Sequence, residues 1–239
     1  MRSRVFLIIC LLILIDLPQL QAQFERTAGK IVADKKPGGI IETYNLEKSD
    51  AVEGSIFIND AWYIGDVTLK DERRLEKVPL KYNLRDDLLH ILDSNNVTRV
   101  IESDRINHFE WFNFKDKKNN LFVNALRYRI DEVPLTGMAE ILVDGEACLL
   151  IYRKLKIQEA MYSVIHDAGQ KNDEFVIHEI HYIGLGHKLF RIRSKKSLRG
   201  LFPGQEEAME SFIRVNHFNV KNADHLGLIV RQYNSLQRH

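Results

Sequence analysis

The sequence predicts a β-rich α+β fold: an antiparallel meander, able to curl into a partial barrel, with C-terminal helices packed on it. Three observations predict it. Short alternating runs follow one another from Trp62 to Ser194, separated by brief polar connections. Asp144-Gly145 joins two apolar runs as a type I′ hairpin turn would. After Ser194 the apolar spacing becomes helical.

The chain opens with "MRSRVFLIICLLILIDLPQLQAQ". Arg2 and Arg4 precede an uncharged apolar run of 11 residues, Val5 to Ile15, and Ala22 is a small residue before a cut that leaves Gln23 as the new terminus. This is the pattern of a secretory signal peptide over residues 1–22, and the run is too short for an ordinary membrane span. The expected localisation is therefore export: periplasmic, outer-envelope-associated or secreted. Cleavage would remove Arg2, Arg4 and Asp16 from 34 basic and 33 acidic side chains, leaving 32 of each. That balance gives no reason to expect nucleic acid as a partner. No transmembrane span is expected after cleavage. Cys148 would be the one remaining thiol, which excludes an internal disulfide; its place in "EACLLIY" suggests burial.

Residues 23–55 form a polar lead-in, partly extended. The β domain then runs over 56–194. "WYIGDVTLKD" alternates, with Tyr63, Gly65, Val67 and Leu69 on one face. "LEKVPLKYN", "DLLHILD", "VTRVIES" and "INHFEWFNF" follow as strands, and Pro79 argues for an edge or a bulge. "NNLFVNALRYRI" is a further strand, "MAEILVDGEACLLIYRKLKI" a hairpin, and "HDAGQKND" a loop. Residues 195–239 form a helical segment on the β domain. Pro203 suits the first turn of one helix, with Ala208, Phe212 and Val215 as its stripe. A second helix buries Leu226, Ile229, Val230 and Tyr233, with Asn222 as N-cap.

"HEIHYIGLGH", residues 178–187, approaches the zinc-protease pattern H-E-x-x-H-x-x-G-x-x-H but is one residue short between the first two histidines. Its β-branched and aromatic neighbours make it a strand. His178 and His181, three apart, then point to opposite faces and cannot share an ion. A loop at Gly184-Leu185-Gly186 would put Val176, Ile180, Tyr182, Phe190 and Ile192 on the core face. It would leave His181 and His187 as diagonal neighbours on the other face. These two are weak metal candidates without a third ligand. The reading is a hairpin with solvated histidines, and no metal site is assigned.

No phosphate loop, nucleophile elbow or cofactor fingerprint occurs, so no catalytic or cofactor-binding residue is assigned and no cofactor is expected. One charge feature is local. Between Ile180 and Gln205 there is no acid, while Lys188, Arg191, Arg193, Lys195, Lys196 and Arg199 make a possible patch for an anionic partner. Tyr63, Phe109, Trp111, Phe112, Phe114 and Phe122 serve core packing for the most part, and a rolled, aromatic-lined sheet would also suit an apolar ligand.

"GDVTLKDERRLEKVPLKYNLRDDLLHIL" resembles a pattern in uncharacterised secreted proteins of Gram-negative bacteria: G-x-V-x-L, a turn, then V-P-L-[RK]-Y-N and an acid. The shared positions here are Gly65, Val67, Leu69, "VPLKYN" at 78–83, Asp86 and Asp87, Lys195-Lys196 and "QYNSL" at 232–236. This chain departs at Asp71-Glu72, Lys81 and Gln232. The resemblance spans about residues 55–236. It implies an exported envelope protein and carries no activity. The leading expectation is a non-enzymatic binder of a protein partner or an envelope component. The alternatives are a carrier of a lipid or other apolar ligand, and a hydrolase whose site is assembled only by the fold.

Overall fold

A computed structural model describes residues 52–163 and 168–237 of the chain. The signal segment and the lead-in as far as residue 51 lie outside the described residues. The strands are β1 (Val52–Glu53), β2 (Tyr63–Leu69), β3 (Arg74–Asn83), β4 (Leu88–Leu92), β5 (Thr98–Glu102), β6 (Ile106–Asn113), β7 (Lys118–Asn124), β8 (Arg129–Ile130), β9 (Val133–Pro134), β10 (Met138–Val143), β11 (Ala147–Gln158), β12 (Met161–Ser163), β13 (Ala168–Gln170), β14 (Asp173–Leu185) and β15 (Lys188–Arg191). Two helices close the described chain, α1 (Glu206–Val215) and α2 (Ala223–Leu236).

The predicted β-rich α+β class is what the chain forms. One sheet of 13 strands runs in the order β5-β4-β3-β2-β6-β7-β10-β11-β14-β15-β8-β9, with β1 added beside β14. β12 and β13 make a separate hairpin where the sequence suggests a loop. Neighbours are antiparallel except β1 with β14 and β15 with β8. The sheet is not closed into a barrel, since β5 pairs only with β4. It does double back, because the three residues Ser103–Arg105 carry the chain from β5 to β6, on the far side of β2. Asn124 holds this short crossover by donating to the Ser103 and Ile106 carbonyls at 2.8 and 2.7 Å.

The alternation forms as read, and the face it puts inside is that of Val67 and Leu69 of β2, together with Val78, Leu80 and Tyr82 of β3 and Phe109 and Trp111 of β6. The rings of Phe109, Trp111 and Phe122 pack at centroid distances of 4.5–5.4 Å. Phe112 and Phe114 are exposed instead and meet edge to face. Pro79 sits on an interior strand beside a bulge. The β2–β3 register shifts between Gly65 and Val67, Lys77 takes φ +54°, and β4 begins its pairing only at Leu80. The missing N–H of Pro79 therefore costs no ladder bond on the β4 side.

The "VPLKYN" motif is structural. Val78, Leu80 and Tyr82 fill the core. Lys81 lies over the rings of Phe57 and Trp62 at 3.9 and 4.7 Å. The Asn83 side chain accepts from the Arg85 and Asp86 amides and donates to Asp86, which sets the turn into β4.

The hairpin over 178–191 forms with a different register. β14 and β15 pair Tyr182 with Arg191, Ile183 with Phe190 and Leu185 with Lys188, so the turn is Gly186-His187. Gly186, at φ +58°, supplies the positive angle that a two-residue hairpin turn demands. Two glycines two residues apart offered either loop, and the two-residue one matches the strand twist. Phe190 and Val176 are accordingly exposed, Ile183 and Ile192 pack under the helices, and Ile180, Tyr182 and Leu189 share the opposite face with Cys148.

In α1 the buried residues are Met209 and Ile213, while Val215 is 68% exposed, against the expected stripe of Ala208, Phe212 and Val215. Phe212 is half-buried against the same core. In α2 the expected face is correct: Leu226, Ile229, Val230 and Tyr233 are buried, and the Asn222 side chain caps the helix by accepting from the His225 amide at 3.1 Å. Asn234 fastens α2 to the β10–β11 turn. Its side chain accepts from the Ala147 amide and donates to the Ala147 carbonyl, both at 2.8 Å, and donates to the Asp144 carbonyl at 3.4 Å. Gly145 lies beneath it at φ +147°, where a Cβ would approach Asn234 Nδ2 to 2.4 Å. β10 ends at Val143 and β11 begins at Ala147, so the Asp144-Gly145 turn is wider than a two-residue type I′ loop.

Candidate functional site

Four adjacent strands each send one polar side chain to the same face of the sheet. Glu140 of β10 pairs with Phe122 of β7 and Ile151 of β11, and Arg153 of β11 pairs with Glu179 of β14. With a side-chain period of two, Asn120, Glu140, Arg153 and Glu179 fall on one face. Arg153 bridges the two carboxylates, with Nη1 at 2.7 Å from Glu140 and Nε at 2.8 Å from Glu179. Asn120 Nδ2 donates to the other oxygen of Glu140. Glu140 is 3% exposed, and these donors take the place of water around its carboxyl group.

This polar floor lies in a cleft of about 620 Å³. One wall is the Tyr63–Trp111 stack, with centroids 5.2 Å apart and planes 15° apart. The opposite wall is the start of α2, with Asp224, Gly227 and Arg231. Asp116 and Lys118 stand on the same lining. Asn120 Oδ1 is buried, and among the described residues nothing donates to it. The amide cannot turn over to relieve this, since Oδ1 would then face the Glu140 carboxylate.

None of these four residues was assigned to a site from the sequence, although Glu179 is the acid of the histidine motif. The signal that was available is an acid at a core-facing position of the otherwise apolar run "MAEILV", and a base in "LLIYRKL" two strand positions beyond Ile151. A buried charge in a strand asks for a partner on a neighbouring strand.

The histidine and basic candidates are not in the lining of this cleft, although His181, opposite Ile151, shares the sheet face of Arg153 and Glu179. His178 and His181 fall on opposite faces, paired with Lys154 and Ile151. His181 is half-buried, and burial holds its pKa below the ordinary histidine value against the opposing pull of Glu179. His187 occupies the hairpin turn, with Nδ1 3.1 Å from the Arg127 carbonyl oxygen. It lies past Leu185, the last paired residue of β14, which is itself four residues, about 13 Å along the strand, beyond His181, so the two are not diagonal neighbours. Among the described residues no group of three His, Cys, Asp or Glu side chains is placed to hold a metal.

The six bases are all exposed but do not form one patch. Lys188 and Arg191 are three apart on β15 and so point to opposite faces. Lys195 and Arg199 border a separate groove of about 380 Å³ beside α1, floored by Leu198, Phe202, Met209 and Ile213 and rimmed also by Glu206 and Glu210. Arg193 and Lys196 are not part of that lining.

Cys148 is buried, as expected, and burial raises its pKa. It stands opposite Gly184, where a Cβ would come within 2.5 Å of its sulfur. No helix among the described residues is long and apolar enough to cross a membrane. No protein family, curated protein or solved structure matches this chain.

Proposed function

We propose that this is an exported binding protein that holds a small polar component of the cell envelope in the cleft over Asn120, Glu140, Arg153 and Glu179. The signal-like N-terminus supports export. The observation that carries the binding reading is the buried acceptor, Asn120 Oδ1, left without a donor at the floor of a cleft whose other buried polar groups are satisfied. Such a cost, about 1–3 kcal/mol, is relieved by a bound donor. A lipid or other apolar carrier function fits less well, because an apolar ligand there would cover Asn120 and Glu140 without replacing their hydrogen bonds.

The test is native mass spectrometry on the protein taken from its own exported fraction, beside a Gly227→Leu variant that fills the cleft wall. A bound mass of small-molecule size on the first and its loss from the second are expected. A bare mass on both, or an apolar adduct that survives Gly227→Leu, overturns the reading.

A hydrolase draws on one further observation: Glu140 and Glu179 converge over Arg153 in a concave site. Hydrolysis of chromogenic glycosides or esters, lost in Glu179→Gln, would establish it.

A further inference from the structure

We infer that the cleft is built for a neutral, hydroxyl-rich ring, of the kind a sugar residue presents; this rests on the binding reading above. Three features of the lining select that chemistry. The first is the unmet acceptor. Asn120 Oδ1 is fixed in place by the donation of Nδ2 to Glu140, so it asks for an O–H or N–H from whatever enters.

The second is charge. The acids in the lining are Asp116, Glu140, Glu179 and Asp224, and the bases are Lys118, Arg153 and Arg231. These nearly balance, and the deepest charges already neutralise one another through Arg153. An anion entering over the floor would meet Glu140 and Glu179. A cation would compete with Arg153 for both carboxylates. A hydroxyl group is donor and acceptor at once, so it meets Asn120 Oδ1 and the half-exposed Glu179 carboxylate without disturbing either ion pair.

The third is shape. Tyr63, part-exposed and backed by the buried Trp111 on which it stacks, brings one flat ring to the lining beside this polar floor. A sugar ring has the same duality, with C–H groups on its faces and hydroxyls at its edge. The cleft's size lies in the range of small-ligand sites, about 300–1,000 Å³.

The experiment is NMR titration of the isotope-labelled full-length protein, following the Asn120 side-chain amide. Two sets of probes are used: an array of neutral mono- and oligosaccharides, and charged solutes, namely phosphate, glutamate and spermidine. The expected result is that a neutral sugar shifts the Asn120 amide, and that Glu179→Ala, a change at a half-exposed side chain, weakens binding about tenfold. Asn120→Ser, followed through the backbone amides of Asn119 and Leu121, weakens binding in the same direction, with its folded spectrum as control. If only a charged solute shifts the amide, the sugar assignment is overturned and the cleft remains a binding site. If neither set shifts it, Asn120 is served by water alone and both readings fall.

Discussion

His90 lies on β4 at 1% exposure, opposite Lys81 and edge-on to Phe57 at 5.1 Å. Burial first, and the Lys81 charge second, lower its pKa to about 4 against the opposing pull of Asp86. The unfolded chain takes up a proton near 6.5 and the folded chain only near 4. Stability is therefore complete above pH 6.5, declines as the pH falls from 6.5 to 4, and gains no further loss from this group below that. The decline amounts to about 3 kcal/mol. Urea denaturation across this range should show it, and His90→Gln should give a shallower fall; an equal fall in the variant assigns the effect to other groups. This histidine was not legible from "DLLHILD", where it reads as one polar residue in a strand. Phe57, bridged to Asn83, and Lys81, opposite on β3, cover it, and only the strand registers bring them there. Cys148 was legible, because a run of apolar neighbours on both sides leaves a thiol no route to water.

Elements were legible where one period dominates and ambiguous where two registers fit. Alternation from Tyr63 to Leu69 admits one core face, and that face is buried. In α1, Ala208-Phe212-Val215 and Met209-Ile213 are both spaced for a helix; the sheet beneath favours the larger pair. At Gly184 and Gly186 two loops were open, and the choice between them moves every following side chain by three positions along β14, an odd number that also exchanges the faces. The floor of the cleft was not legible because its four residues come from four strands, and only the ladder registers align them. The attachment of α2 is a clear case of contact across sequence. Asn234→Ala removes three hydrogen bonds and leaves the Ala147 amide and carbonyl buried without partners. A loss of about 2–4 kcal/mol is expected, read as a lower urea midpoint at unchanged slope. A change within a few tenths of a kcal/mol would mean that the α2 contact is carried by its apolar face alone.

The described residues form one large sheet with packed clusters on both of its faces. The strands β7 and β10 belong to both ends of it, since Phe122 and Met138 pack with the aromatic cluster while Val143 packs under the helices. The two ends should therefore unfold together. Both tryptophans, Trp62 and Trp111, lie at the first end, and both α-helices at the other. Tryptophan fluorescence and helical circular dichroism should give coincident denaturation curves; separated midpoints would show two cooperative units. The pairing of Cys148 with Gly184 extends this. β11 is flanked on both sides by paired strands, and its thiol is sealed by Tyr128 and by the close approach of Gly184. A thiol reagent can reach that sulfur only while the middle of the sheet is open. The rate of labelling in native buffer then works as an internal clock of breathing motions, and ligand held in the cleft over β11 should slow it.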